Sequence, residues 1–431
     1  MTHDVLVMGA GPAGSATARR LAAAGVSVAL IGGDSRSGIE GLSTRSHALL
    51  VEEGIEAGSG AFGGPYRRDG YWALGRKVEG LEWLTERRAL ARALRATAVA
   101  SGACSYLSTV RSVTYDGSIW WLCLGDGTTC SAPFVVDARG RRGAEVRGPV
   151  LLAVGQRYRA NVVLASGTHL SATEDGWCWW VTHGRDIWVQ VVGRPRQRHP
   201  NAWIGAAAEQ VSGLARALAG AEAVGKVAGR PAHARLGVQE TGDPTWRVGD
   251  AAMALDPLSG QGIYEALRGA RLVSTAIQSV LRGGDPAIAR RFVAERTREA
   301  WFRGVKSAAS FYSELAIRSE FWADTARQYL ALIPPPSTLI TVVEQRPVLV
   351  DGRIVEREVL VGPGHTRGVF HVEGVPLVAL KRYLDGVHNA TVPSAADALD
   401  LPPTAVASAI QWLRTSGLLR QQAPASGALG G

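Results

Sequence analysis

This sequence lacks the features that mark membrane-spanning, disulfide-bonded and metal-binding proteins. No apolar run reaches the ~18 residues that a spanning helix requires. Because the first predicted strand begins within the first few residues, we expect no signal peptide. The cysteines, Cys104, Cys123, Cys130 and Cys178, number only four and show no CxxC spacing and no cluster with histidine. We therefore expect a cytoplasmic protein with no metal site and no membrane partner.

The charge is unbalanced only modestly. Lysine and arginine number 47 against 38 aspartate and glutamate, which gives a net charge of +9. The excess comes mostly from arginine and has two interpretations: solvated faces of an arginine-rich chain, or a surface for an acidic partner. No basic run alternates with aromatic residues, so we expect no nucleic-acid binding. The 431 residues, with 46% hydrophobic content, are enough for two or three globular domains.

What the sequence does contain is three glycine-bearing segments far apart in the chain. In the first, residues 5–8 form an apolar stretch typical of a buried parallel strand. Gly9 permits a tight turn, Gly11 lets the backbone approach a pyrophosphate, and Gly14 lets the next helix pack closely. That helix, predicted over 13–24, offers phosphate its free N–H groups. The residues expected to bind a nucleotide here are Gly9, Gly11, Pro12, Ala13 and Gly14.

The second strand of this βαβ unit, predicted over 26–31, departs from the usual pattern at its end. An acidic residue is expected there to bind the ribose hydroxyls, but Gly32 and Gly33 follow Ile31 and Asp34 comes later. Two explanations are open. Either the strand end is bulged and Asp34 binds the ribose, or other groups hold it.

The other two glycine-bearing segments identify the nucleotide. Residues 249–250, followed by Pro257 and by 260–262 at the start of a predicted helix over 263–277, resemble the second flavin fingerprint of FAD-dependent aromatic hydroxylases. Residues 137–140, Asp-Ala-Arg-Gly, resemble the middle motif of that superfamily, in the form common in flavin-dependent halogenases and geranylgeranyl reductases. The resemblance covers roughly residues 1–300.

This resemblance implies the roles of further residues. Asp250 is expected to bind a ribityl hydroxyl, and the helix start at 260–263 to face the flavin pyrimidine edge. Arg87 matches an arginine near the pyrophosphate, Val110 a strand residue at adenine, and residues 40–47 a loop that crosses the flavin ring. The implied FAD-binding residues are Arg45, Arg87, Val110, Asp250, Pro257, Gly260, Gln261, Gly262 and Ile263, with Asp34 still open.

Residues 151–235 alternate in a way that predicts an antiparallel sheet. A tryptophan-rich segment lies within it, in which Trp177 and Trp179 share one strand face and Trp180 takes the other. The tryptophans are either core of the sheet or, for Trp177 and Trp179, the walls of a substrate-binding pocket for an aromatic ring.

The same segment bears on halogenation. Tryptophan halogenases have Trp-x-Trp-x-Ile-Pro at this place, whereas here Val181 and Thr182 replace the last two residues. A halogenase also needs a lysine to transfer hypohalous acid, and the surroundings of Lys77 do not match that lysine. The pattern favours a relative of the halogenases that hydroxylates.

The predicted architecture is α/β: a Rossmann-like FAD domain (1–150 and 236–300), the antiparallel substrate-binding sheet domain (151–235), a helical connection (300–336), a small winged-helix-like C-terminal domain (337–422) and a disordered tail (423–431). Only Arg414 is basic in the would-be recognition helix, which favours docking of a peptide or protein. Such docking raises the effective concentration of a polypeptide target.

Together these features resemble flavoprotein monooxygenases that hydroxylate a peptidyl tryptophan during maturation of a quinone cofactor. The resemblance implies FAD reduced by NADH, NADPH or a partner reductase, and a C4a-hydroperoxide formed with O2. Candidate catalytic groups are His47, Arg45 and Asp256, each with a structural alternative as a solvated charge or a helix cap. The alternative functions are a halogenase, a geranylgeranyl-reductase-like flavin reductase and a non-catalytic flavin-binding partner.

Overall fold

The computed structural model describes residues 1–33, 38–56, 60–72, 77–141, 145–195, 201–237, 243–335, 340–362 and 364–419. The chain forms two compact units. The first comprises Met1–Gln278 and Val293–Ile333, and the second comprises Ser279–Phe292 and Pro334–Gly431. Among the described residues, no helix is both long enough and apolar enough to cross a membrane.

The first unit contains most of the strands and helices. Its strands are β1 (Val5–Met8), β2 (Val28–Ile31), β3 (Ile39–Leu42), β4 (Gly63–Tyr71), β5 (Lys77–Glu86), β6 (Cys104–Tyr106), β7 (Val110–Tyr115), β8 (Trp120–Leu124), β9 (Thr129–Ala132), β10 (Phe134–Asp137), β11 (Glu145–Arg147), β12 (Leu152–Thr173), β13 (Gly176–Gly193), β14 (Glu222–Pro231), β15 (Arg235–Gly237), β16 (Trp246–Arg247) and β17 (Met253–Ala254). Its helices are α1 (Pro12–Ala23), α2 (Thr44–Glu52), α3 (Arg87–Ala100), α4 (Asn201–Gln210), α5 (Ser212–Leu218), α6 (Gly262–Leu281), α7 (Pro286–Ser313) and α8 (Glu320–Ala331), of which α6 ends and α7 begins in the second unit.

A five-stranded parallel sheet brings the glycine-bearing segments together. Its order is β16-β10-β1-β2-β6, and every neighbouring pair is parallel. Met8 pairs with Asp137, and Asp137 pairs with Arg247, so β1, β10 and β16 end side by side. Because the carboxyl ends of parallel strands share one edge of a sheet, the three turns meet there. The predicted α/β class, with a parallel sheet, is confirmed.

The second large sheet is antiparallel apart from one strand pair. Its core is the β12–β13 hairpin, whose two strands are 22 and 18 residues long. Thr173 pairs with Gly176 at the tip, and the register runs to Leu152 and Gly193 at the base. On its other edge β12 pairs with β14 antiparallel and with β4 in parallel, and β5 and β3 complete the sheet.

The expected helical connection over 300–336 is not a separate segment. Trp301, Tyr312, Trp322 and Tyr329 are all less than 2% exposed and belong to the same hydrophobic cluster as Trp177 of β13. The sequence indicated a helical connection here but not what its apolar residues pack against. The face packs on the antiparallel sheet, so residues 293–333 form part of the first unit.

The second unit has its own sheet, helices and core. Its remaining elements are β18 (Val342–Val350), β19 (Arg353–Gly362), β20 (His365–Val369), β21 (His371–Val372), β22 (Val375–Pro376), α9 (Leu377–Gly386), α10 (Val392–Leu399) and α11 (Pro403–Thr415). The hairpin of β18 and β19 turns at Asp351 and Gly352, both with positive φ. Leu380, Val406 and Leu413 lie in its buried core. The winged-helix assignment stays a prediction, and the tail over 423–431 lies outside the described residues.

Candidate functional site

The turn between β1 and α1 has the geometry of a phosphate cradle. Gly9 has φ +110°, and a Cβ there would lie 2.4 Å from the Ala138 carbonyl oxygen. A Cβ at Gly14 would lie 1.8 Å from the Gly9 oxygen, whereas one at Gly11 meets no described atom within 4 Å. Gly11 also begins α1 with no side-chain cap, so its first N–H groups are open to a ligand. The two outer glycines serve packing, and the middle one leaves room for a phosphate.

A cavity of about 690 Å³ lies at this edge of the parallel sheet. Among the predicted FAD-binding residues it is lined by Gly9, Gly11, Pro12, Ala13, Arg87, Val110, Asp250, Pro257, Gly260, Gly262 and Ile263. Gly14 and Gln261 are absent from this lining as described, and Gly14 acts instead through its contact with Gly9. Asp34 lies outside the described residues, so its part in ribose binding stays a prediction.

The shape and chemistry of this cavity fit FAD. The uncapped start of α1 suits the pyrophosphate, and Arg87, at the start of α3, supplies a cation that is ion-paired with Glu40. Asp250 is half exposed at 50%, and its Oδ2 lies 3.4 Å from Arg141 Nε. Arg141 Nη1 also donates to the His233 carbonyl over 2.7 Å. Arg141, which follows the middle glycine motif directly, lines the cavity and was missed in the sequence.

A second cavity, of about 570 Å³, adjoins the first. The two share part of their lining: Glu40, Gly41, Arg87, Arg139, Gly140, Arg141, Asp250, Pro257 and Gly260. The rest of the second cavity comes largely from the antiparallel sheet, including both predicted substrate-binding residues, Trp177 and Trp179. Because the linings overlap, a ring held in the second cavity lies beside the first.

Trp177, Trp179 and Trp180 of β13 lie as strand alternation requires. Trp180 stacks on His169, with ring centroids 4.8 Å apart and planes at 19°, in a different core cluster. Trp179 is partly buried, whereas Trp177 is 2% exposed and donates from Nε1 to the Tyr312 hydroxyl over 3.2 Å. Trp177 is therefore core as well as cavity lining. A role for either side chain in substrate binding stays a prediction.

Asp256 is a buried carboxyl group in the lining of the first cavity. It is 2% exposed, and its Oδ1 accepts from the Leu258 backbone N–H over 2.9 Å. Its Oδ2 accepts from the hydroxyls of Tyr312 and Tyr329 over 3.2 and 2.6 Å. Burial raises the pKa of Asp256 and outweighs these donors, which favour the charged form. Burial, and then the neighbouring Asp256, raise the pKa of both tyrosines well above the usual value.

The sequence analysis missed the two tyrosines because it predicted their helices only as a connection. It did not indicate that these side chains reach Asp256. Of the proposed roles for Asp256, the cap is present: its side chain caps the short 3-10 helix Pro257–Ser259 rather than the helix after Gly262. Its catalytic role stays a prediction, now with two buried hydrogen-bond donors beside it.

Arg45 and His47 are not part of either cavity lining as the structure describes it. Ser43 caps α2 by accepting from the Ser46 N–H over 3.2 Å, so the predicted flavin-crossing loop becomes helix at residue 44. Arg45 is exposed on that helix, and His47 stacks on Trp83 at 4.4 Å. The geometry does not support the flavin-binding and catalytic roles predicted for these two residues, since the beginning of the loop, Glu40 and Gly41, supplies the lining.

Searches against protein-family models and against curated proteins found no match to this chain. Solved structures do match. They share the fold described above. Together with the first cavity, the similarity to the enzyme reported next defines the class: the protein is a flavoprotein monooxygenase.

The chain is similar to the peptidyl tryptophan dihydroxylase QhpG, described as essential for tryptophylquinone cofactor biogenesis. The two are 28% identical, with a TM-score of 0.83 over 97% of this chain and 100% of that one. The predicted resemblance to this kind of enzyme is confirmed.

Two halogenases share the fold at lower identity. The myxobacterial chondrochloren halogenase CndH is 20% identical, with a TM-score of 0.67 over 75% of this chain and 86% of its own. The flavin-dependent halogenase CmlS is 17% identical, with a TM-score of 0.72 over 97% and 96%. At these identities the likeness concerns the fold alone.

Proposed function

We propose that this protein is an FAD-dependent monooxygenase that hydroxylates a peptidyl tryptophan, in the maturation of a protein-derived quinone cofactor. The observation that supports this best is the second cavity, which has Trp177 and Trp179 in its lining and overlaps the cavity that fits FAD. The similarity to a peptidyl tryptophan dihydroxylase over nearly the whole chain supports the substrate class.

Bound FAD, reduced by NADH, NADPH or a partner reductase, supplies one oxygen atom of O2 for electrophilic attack on the ring. The chain itself holds the cofactor at the glycine turns and at Asp250, and places the substrate ring against Trp177 and Trp179 in the second cavity. Burial raises the pKa of Asp256 at the first cavity, and its Oδ2 accepts from the hydroxyls of Tyr312 and Tyr329, so this carboxyl group is the candidate for proton exchange there.

The described cavity linings favour hydroxylation over halogenation. They contain the arginines Arg68, Arg87, Arg139, Arg141 and Arg230 but, as far as the chain is described, no lysine to transfer hypohalous acid. The side chain of Lys77 lies outside the described residues. The sequence does not support the geranylgeranyl-reductase alternative, because those enzymes have a cysteine-glycine signature near residue 45, where this chain has Arg45, Ser46 and His47.

We also propose that the second unit docks the polypeptide substrate. It has a hydrophobic core of its own, and its helices α10 and α11 have solvent-exposed residues that a partner can contact. The comparison with the peptidyl tryptophan dihydroxylase extends over 97% of this chain and so includes this unit. The comparison with the halogenase CmlS extends as far, so the unit alone does not define the substrate.

The test is mass spectrometry of a tryptophan-containing polypeptide after incubation with the enzyme, NADH or NADPH, O2 and, in parallel, chloride or bromide. One or two added oxygen atoms support the proposal. An added halogen favours the halogenase alternative. Reductant oxidation that no substrate stimulates, with no modified product, favours a reductase or a non-catalytic partner.

A further inference from the structure

Glu82, on β5, is a buried carboxylate in the lining of the second cavity. The residue is 8% exposed, and its Oε2 is shielded from water and accepts no hydrogen bond from the described residues. Buried polar atoms in folded proteins are almost always paired, because an unpaired one loses its hydration without compensation. The site therefore lacks a donor that a ligand can supply.

Because Gly41 has no side chain, the Glu82 carboxylate can occupy the space beside it. A Cβ at Gly41 would lie 2.1 Å from Glu82 Oε1 and 2.6 Å from its Cδ. The φ of Gly41 is not in the left-handed region, so its backbone conformation does not require glycine. Gly41 lines both cavities, which places the Glu82 carboxylate beside the boundary between them.

The cations around Glu82 do not supply the missing donor. Most arginines of the lining pair with other groups: Arg87 with Glu40, Arg139 with Asp137, Arg141 with Asp250 and Arg230 with Gln190. Arg68 has a buried Nε–H that no described acceptor meets. The second cavity thus offers an unpaired acceptor and an unpaired donor. A tryptophan residue in a peptide provides the complement of both, an indole N–H and backbone carbonyl oxygens.

We propose that the Glu82 carboxylate accepts the indole N–H of the substrate tryptophan and so orients the ring in the second cavity. This inference rests on the proposed function and names the group that selects an indole over other aromatic rings. A negative charge at the N–H also increases the electron density of the ring, which favours electrophilic oxygen transfer.

The experiment compares two peptides that differ at the target position, where one has tryptophan and the other benzothienylalanine, in which sulfur replaces the N–H. With the wild-type enzyme, kcat/KM for hydroxylation falls by about ten- to a hundredfold for the analogue, the range expected for one lost charge-assisted hydrogen bond. In Glu82→Leu this preference disappears, and in Glu82→Gln it is intermediate. Because each preference is a ratio of the two peptides, comparing it between wild type and variant cancels the difference in intrinsic reactivity of the two rings.

Two further variants separate this role from a structural one. Gly41→Ala displaces the carboxylate without removing it and is expected to weaken the preference while the unfolding midpoint stays close to wild type. Glu79→Gln makes the same charge change at an exposed position of the same strand and is expected to keep the full preference. FAD content and the unfolding midpoint are measured for every variant.

If Glu82→Leu binds FAD and keeps the wild-type preference for tryptophan, the role assigned to Glu82 is wrong and the proposed function stands. If the wild-type enzyme adds no oxygen to the tryptophan peptide, the proposed function fails, and this inference fails with it.

Discussion

The Tyr329 hydroxyl donates a hydrogen bond to Asp256 Oδ2 over 2.6 Å, although the two residues are 73 positions apart. Tyr312 donates to the same oxygen over 3.2 Å and accepts from Trp177 Nε1 at an equal distance. Trp177 lines the second cavity and Asp256 lines the first. A buried chain of hydrogen bonds thus joins the predicted substrate site to the predicted flavin site.

The first prediction concerns the pH dependence of stability. Burial raises the pKa of Asp256, so the folded protein keeps this proton at pH values where the unfolded chain, with an aspartate pKa of about 3.9, has lost it. The contribution of Asp256 to stability therefore falls as pH rises from about 4 through the raised pKa of the folded state. Asp256→Asn does not titrate and should remove this fall. Urea unfolding from pH 4 to 8 measures it, and parallel profiles for both proteins would contradict the prediction.

A second prediction compares two glycines of the same turn. Gly14→Ala should destabilise even the apoprotein, by about 1–3 kcal/mol, because its Cβ overlaps the Gly9 oxygen. The Cβ of Gly11→Ala meets no described atom, so the apoprotein should keep its stability. The same Cβ would enter the space predicted for the pyrophosphate, so the affinity for FAD should fall. Thermal unfolding without cofactor and titration with FAD distinguish them. Equal FAD affinity in Gly11→Ala and wild type would place the pyrophosphate elsewhere.

The third prediction tests cofactor binding at Asp250. Removing its half-exposed carboxylate deletes a charge-assisted hydrogen bond to the ribityl chain, worth roughly 1.5–3 kcal/mol. Asp250→Ala should purify largely colourless, whereas Asp116→Ala, in an exposed turn, should retain FAD. Full flavin absorbance in Asp250→Ala would show that the assignment is wrong.

The fourth prediction concerns the aromatic wall of the second cavity. Trp179→Ala should keep FAD but hold the substrate ring less well, since losing an aromatic wall costs about 0.5–1.5 kcal/mol beyond area burial. The reduced flavin should then convert more O2 to hydrogen peroxide without hydroxylating the substrate. Trp180→Phe, in the other core cluster, should stay coupled. Trp177→Phe should lower stability as well as coupling, because it loses the bond to Tyr312. Tight coupling in Trp179→Ala would place the substrate elsewhere.

The fifth prediction tests docking by the second unit. Ala407 is exposed on α11 and Ala398 is exposed on α10, which makes a matched pair for one substitution. Ala407→Glu should raise KM for a polypeptide substrate and leave turnover of a small indole surrogate unchanged, while Ala398→Glu should change neither. An equal effect of Ala407→Glu on both substrates would mean that α11 does not dock the polypeptide.

Local geometry explains how much of the flavin site the sequence could predict. Gly9, Gly11 and Gly14 act through the turn and helix that they themselves form, so their spacing alone indicates a phosphate cradle. Because β16, β10 and β1 are parallel neighbours in the sheet, the segment after β16 lies beside this cradle. The alternation of Trp177, Trp179 and Trp180 across β13 likewise follows from the two-residue period of a strand.

Tertiary structure decided the groups that meet across long separations. Nothing near Asp256 in sequence indicates Tyr312 or Tyr329, because helical spacing shows an apolar face but not what it covers. Glu82 resembles any strand carboxylate until packing buries it beside Gly41. The sequence by itself determined the nucleotide-binding turns, since their geometry is local. Only the packing of distant helices and strands decided which polar groups lie buried beside the two cavities.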